Sequence, residues 1–259
     1  MLGAIIGDVA GSLYEFSSNK TKDFPFFAPG SRVTDDSIMT IAVGCACADS
    51  DLTDEWGFKA SVVWNMRNLG RMYPSAGYGG MFYQWLHSDI MPPYNSFGNG
   101  SAMRVSQVAW VAESLEQAET LAKWSAEVTH DHPEGIKGAQ AVAAAIYLAK
   151  EGASKAEIKA YIEKKYYVLD FTLDEIRPGY EFDVTCQGSV PQAIQCFLEA
   201  EDFEDAIRNA ISLGGDGDTL AAMAGAIAEA YFGIPEDLAD RVMAFFDDTL
   251  TEYYLNASL

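Results

Sequence analysis

The chain has 259 residues, enough for one large domain or two small ones with a substantial core, and its 38 acidic against 17 basic residues give a net charge of −21 at pH 7. With 49% hydrophobic and 21% charged residues, it is composed as a packed globular protein and not as a disordered one. The negative field excludes a nucleic-acid backbone or an anionic membrane as partner, because no run of Lys and Arg offsets it.

In chain order the pattern is helix after helix. Leu2 to Phe16 is predicted as a central helix with Gly3, Gly7 and Gly11 on one face, small residues that let another backbone come close at the expense of helix propensity. Asp35 to Ala48 and Lys59 to Asn68 are the next two. The segments Gly70 to Gly80 and Met91 to Gly100 are irregular, with a short helix at Phe82 to His87 between them. Ser101 to Leu115, Glu116 to Val128 and Glu134 to Lys150 follow, the last ending at Gly152. Ser154 and Glu157 form a capping box for a further helix. Pro191 to Ala200, Phe203 to Leu213, Leu220 to Phe232 with its Gly233 and Pro235 stop, and Glu236 to Leu250 complete the series. Tyr166 to Leu169 and Tyr180 to Val184 are the only β-like runs. The expectation is an all-α fold of roughly ten or more helices in one domain spanning residues 1–259.

Cys45, Cys47, Cys186 and Cys196 lack zinc spacing and read as buried thiols in a reducing compartment. A basic leader is missing, Asp8 interrupts the first apolar stretch, and no apolar run reaches the ~18 residues of a membrane span. A cytoplasmic protein is expected.

Two segments carry the chemistry. Thr34-Asp35-Asp36-Ser37 and Gly214-Gly215-Asp216-Gly217-Asp218-Thr219 each place two carboxylates and a Thr hydroxyl just before an apolar helix. Capping and the helix dipole explain one such oxygen. The second segment holds more acid than a cap uses, and its glycines let alternate side chains point the same way. The sharper reading is an all-oxygen site for hard cations such as Mg²⁺. Four carboxylates gathered alone repel one another; two divalent ions ~3.5–4 Å apart, bridged by a shared carboxylate, remove that repulsion. Asp218, between Asp216 and Thr219, is the expected bridge.

Taken together, Gly3-Ala-Ile-Ile-Gly-Asp8-Val-Ala-Gly11, Tyr14-Glu15-Phe16, Thr34-Asp35-Asp36, Gly98-Asn99-Gly100-Ser101-Ala-Met103-Arg104, Thr129-His130 and the Gly214 to Thr219 segment resemble the ADP-ribosylglycohydrolase family, over nearly the whole chain. The resemblance implies an all-α fold with a binuclear Mg²⁺ site in a central cleft, Mn²⁺ being a substitute. Thr34, Asp35 and Asp36 would hold one ion with help from Asp218, and Asp216, Asp218 and Thr219 the other. It places Glu15 at the cleft, on the same helix face as Asp8, and makes Asp35 or Glu15 the group that orients or deprotonates the attacking water. The Gly98-Asn99-Gly100-Ser101 loop, otherwise an ordinary turn capped by Ser101, would cradle the ADP-ribose diphosphate with His130 close by. Tyr78-Gly79-Gly80 would stand at the rim, and Phe97 and Tyr94 would be available to stack on adenine or ribose. The implied activity is hydrolysis of the bond between ADP-ribose and a protein side chain or small conjugate. A non-catalytic family member and a Mg²⁺-dependent nucleotide phosphohydrolase are the alternatives.

Overall fold

The structure, a computed structural model, describes residues 1–258. Among these residues it has fifteen helices: α1 (Leu2–Gly11), α2 (Asp35–Asp49), α3 (Glu55–Met72), α4 (Gly80–His87), α5 (Gly100–Met103), α6 (Ser106–Val111), α7 (Leu115–Glu127), α8 (Pro133–Lys150), α9 (Lys155–Lys165), α10 (Leu173–Ile176), α11 (Cys186–Glu199), α12 (Phe203–Ile211), α13 (Gly217–Phe232), α14 (Glu236–Met243) and α15 (Asp248–Ala257). The all-α expectation holds. Neither β-like run forms a strand. The one β pairing among the described residues is an isolated antiparallel bridge between Gly98 and Thr185.

α13 is buried over most of its length and packs against α1, α8, α11 and α12. α2 lies beside α1, with α3 and α15 outside it. The close approach of α1 to α13 comes from the glycine stripe. A Cβ on Gly3, Gly7 or Gly11 would stand closer than 3.0 Å to the backbone of Gly225, Ala221 or Asp218 respectively. The Ser154 capping box forms with both of its hydrogen bonds, and Gly152 and Gly233 take the positive φ expected just past α8 and α13. All four cysteines are free and buried. Among the described residues no helix is long and apolar enough to cross a membrane.

Several boundaries differ from the periodic reading. α3 runs from the Asp54 N-cap to Met72, beyond the expected Lys59 to Asn68, and α10 has no counterpart in that reading. Four further differences have a structural cause. α1 stops at Gly11, where Ser12 folds back to donate to Val9 O (2.9 Å) and the chain turns. Glu15 therefore lies beyond the helix and shares no helix face with Asp8. The Ser101 to Leu115 stretch breaks into α5 and α6 at Arg104, whose side chain runs inward instead of continuing a surface helix. α11 begins at Thr185, which caps Gly188 N, so Pro191 sits inside the helix and forfeits one backbone bond. Glu236 to Leu250 divides because Asp247 caps a new helix by accepting from Leu250 N (2.8 Å).

Candidate active site

Asp8 is where the site is anchored. It is fully buried on α1 and accepts from Thr34 N (3.0 Å), Thr34 Oγ1 (2.6 Å), Ser37 N (3.0 Å) and Ser37 Oγ. These bonds fasten the first turn of α2 to α1, while the glycine stripe fastens α1 to α13. Two acidic segments some 180 residues apart in sequence are thereby brought together.

The carboxylates of Asp8, Asp36 and Asp218 present oxygens within 4.8 Å of one another, and those of Glu15, Asp216 and Asp218 do the same. Asp218 belongs to both groups. Thr219 Oγ1 donates to Asp36 Oδ2 (3.3 Å). Asp216 occupies the N-cap position of α13 yet caps nothing; it accepts from Asn99 Nδ2 (2.7 Å). Asp36 Oδ1 is buried with no hydrogen-bond partner. Burial, and then mutual repulsion, holds the pKa of Asp36 and Asp218 well above the usual carboxylate range. Burial likewise raises Asp35 to about 8 and the half-buried Glu15 to about 7, with Arg32 offsetting only part of the effect on Glu15. An all-oxygen donor set with an orphaned buried oxygen, strained by its own charge, fits hard divalent cations.

Not every residue expected at the metal site enters these groups. Thr34 Oγ1 donates to Asp8 and accepts from Asp36 N (3.3 Å), which leaves one lone pair. Asp35 lines the cavity, its Oδ1 3.1 Å from where a Cβ would stand on Gly77, and its N–H donates to Ala76 O (3.0 Å).

Above this floor opens a cavity of about 470 Å³, the size of a pocket for a small organic ligand. Gly79, Gly80, Gly98, Asn99, Gly100, Tyr94 and His130 line it as expected. Three residues expected there do not. Tyr78 packs its ring on Phe82 and donates to Gly70 O (3.4 Å). Phe97 is half exposed outside the cavity wall, its ring against His132. Ser101 is buried behind the loop and donates to Gly135 O (2.7 Å), and it caps no helix. α5 is a single turn, so its dipole is small. The loop instead offers the N–H groups of Gly100 and Ser101, first-turn donors that have no intrahelical acceptor, since those of Gly98 and Asn99 donate to Ser96 Oγ and Val184 O.

The sequence reading assigned no cavity role to Phe16, Phe182 or Arg104, all of which line it. Phe16 and Phe182 come from two different loops and stack at 5.7 Å, 84% and 49% exposed, beside Glu15. Their one visible signal is that large aromatics occupy polar loops.

Comparison with known proteins gives the fold and the family. A solved structure, an ADP-ribosylglycohydrolase-related protein complex, shares the fold at a TM-score of 0.60 and 20% identity, covering 99% of this chain and 94% of that one. The sequence profile of the ADP-ribosylglycohydrolase family matches residues 1–257, and the chain belongs to that family, a family of glycosidic-bond hydrolases. It is similar to ADP-ribosylhydrolase ARH3 of Homo sapiens, at 28% identity over 91% of this chain and 85% of that protein. It is also similar to ADP-ribosylarginine hydrolase Tri1 of Pseudomonas putida, at 25% identity over 93% of this chain and 72% of that protein.

Proposed function

We propose that the protein hydrolyses the glycosidic bond between ADP-ribose and an acceptor, a protein side chain or a small conjugate, and releases ADP-ribose. Two Mg²⁺ ions, replaceable by Mn²⁺, are its cofactors. The observation that carries this reading is Asp218, whose carboxylate belongs to both oxygen groups, as a residue bridging two ions must. Thr34, Asp35 and Asp36 with Asp218 would hold one ion; Asp216, Asp218 and Thr219 would hold the other. The relatives just described are named for hydrolysing ADP-ribosyl bonds, which supports the choice of substrate. Bound divalent ions supply the charge that keeps these carboxylates ionised together and make a nearby water more acidic.

The chain's own residues do the rest. Glu15 lies against Asp216 and Asp218 at the edge of the floor, where it is placed to accept a proton from the attacking water. Asp35, also in the cavity lining, orients that water or the distal ribose. Attack then falls on an oxocarbenium-like anomeric carbon. The Gly98–Gly100 loop and His130 hold the diphosphate. Phe16 and Phe182 shield the reacting end from bulk water.

The test uses peptides ADP-ribosylated on arginine and on serine, incubated with the protein and followed by mass spectrometry. Intact ADP-ribose is the expected product from at least one linkage, lost on chelation and restored by Mg²⁺ or Mn²⁺. Release of phosphate, or full turnover in excess chelator, refutes the reading.

A further inference from the structure

Behind the Gly98–Gly100 loop, three residues form a hydrogen-bonded line that the steps above leave unused. Arg104 is fully buried and lines the cavity. Its Nη2 donates to Ser125 O (3.3 Å) and to Thr129 Oγ1 (2.9 Å), and its Nε has no partner. Thr129 Oγ1 lies 2.7 Å from His130 Nδ1. The other ring nitrogen of His130, Nε2, faces the loop: it is 3.2 Å from where a Cβ would stand on Gly100 and 3.5 Å from the corresponding point on Gly98.

Counting protons along this line settles the form of the imidazole. A guanidinium only donates. Thr129 Oγ1 therefore accepts from Arg104 and has one proton of its own to give. Its only other partner is His130 Nδ1. A protonated Nδ1 could use the second lone pair of Oγ1 but would leave the buried hydroxyl proton with no acceptor among the described residues, so the arrangement that satisfies every group has Nδ1 bare and accepting. A neutral imidazole with a bare Nδ1 carries its proton on Nε2. Burial, and then the positive charge of Arg104, hold the His130 pKa well below its ordinary value, so the ring is neutral.

We propose that Arg104 and Thr129 lock His130 as its Nε2–H tautomer, making it a fixed hydrogen-bond donor to a phosphate oxygen of the diphosphate and not a proton-transfer group. The ligand half of this rests on the ADP-ribose reading above; the lock itself does not. Phosphate oxygens only accept at neutral pH, so the opposite tautomer would aim a lone pair at them. The same line explains how a chain of net charge −21 receives an anion. Arg104 is a buried cation with no carboxylate beside it in the hydrogen-bond network, and such a charge favours an anion close by. The cavity lining thus carries both an anion-accepting pair, Arg104 and His130, and the carboxylates. Arg104 and Thr129 act through His130 and are positioning residues.

The test is nitrogen NMR of ¹⁵N-histidine protein at pH 7, with free ADP-ribose binding measured by calorimetry. His87, His130 and His132 are the only three histidines, so loss of one signal in His130→Gln assigns the resonance. The expected wild-type result is a neutral ring protonated on Nε2. Thr129→Val should mix the tautomers and weaken ADP-ribose binding about tenfold to a hundredfold, the size of a hydrogen bond to a charged group; Thr129→Ser should restore both. A wild-type ring protonated on Nδ1 or on both nitrogens overturns the lock, whatever the variants do. Unchanged affinity in a folded Thr129→Val protein overturns it as well. Wild-type protein with the Nε2–H ring but no affinity for ADP-ribose refutes the assigned substrate and the ligand half together, and leaves the lock standing.

Discussion

The carboxylate floor should make the cation-free protein lose stability as pH rises, and cations should abolish that loss. Burial raises Glu15 from 4.5 to about 7 and Asp35 from 3.8 to about 8, with Asp36 and Asp218 also well above the normal range. A carboxyl whose folded pKa exceeds its unfolded one binds its proton more tightly when folded. Its contribution is complete below the unfolded value, near pH 4, and is lost as pH climbs through the folded value. For Asp35 the full shift corresponds to ~6 kcal/mol at ~1.4 kcal/mol per pH unit. Its opening to cleft water, and the field it shares with Asp8, Glu15 and Asp216, reduce this to a loss on the order of 2–4 kcal/mol for the site between pH 5 and 8. In a domain of this size that is a drop in Tm of roughly 5–15 °C. Scanning calorimetry in chelator should show this drop, and millimolar Mg²⁺ should remove it by binding only the folded, ionised site. Asp218→Asn sharpens the test. It takes away the carboxylate shared by both groups, so in chelator at pH 8 the variant should melt above wild type, while gaining nothing from Mg²⁺ and turning nothing over. A Tm in chelator that stays level from pH 5 to 8, or an Asp218→Asn protein still stabilised by Mg²⁺ as wild type is, would refute the reasoning.

Glu15→Gln should lower kcat by about a hundredfold or more with a smaller change in KM; because the base works deprotonated, the wild-type rate falls as pH drops through its pKa, and a pH–rate profile of the variant should lack that limb. Gly7→Ala places a Cβ against Ala221 O at the α1–α13 contact and should cost about 1–3 kcal/mol or more, visible as a lower Tm; since Asp8 rides on α1, a Mg²⁺ titration should show weaker binding too. Asp247→Ala removes the acceptor for Leu250 N and for Tyr73 Oη (2.7 Å) and should cost about 1–2 kcal/mol. Asp247 lies outside the cavity lining, so kcat of that variant at low temperature should be unchanged.

What the sequence by itself determined was whatever depends on near neighbours along the chain. The Ser154 box, the Gly152 and Gly233 stops and the stripe of Gly3, Gly7 and Gly11 were legible because hydrogen bonding and steric fit within a few residues decide them. The two acidic segments stood out as chemically alike, and the second because it holds more carboxylate than a cap uses. The family resemblance then paired them, and the fold brings them together, with Asp218 in both carboxylate groups. Only the tertiary structure decided which way individual side chains turn. Tyr78, Phe97 and Ser101 sit in the expected loops but face away from the cavity, since Phe82, His132 and Gly135 offer them better partners. Glu15 reaches the floor because α1 ends at Gly11 and the chain turns back, whereas a continued helix would have carried it elsewhere. Phe16 meets Phe182, and Arg104 meets Thr129, across separations that no local pattern encodes. Packing settles such pairings, because a side chain's direction follows from the surfaces that distant segments bring against it.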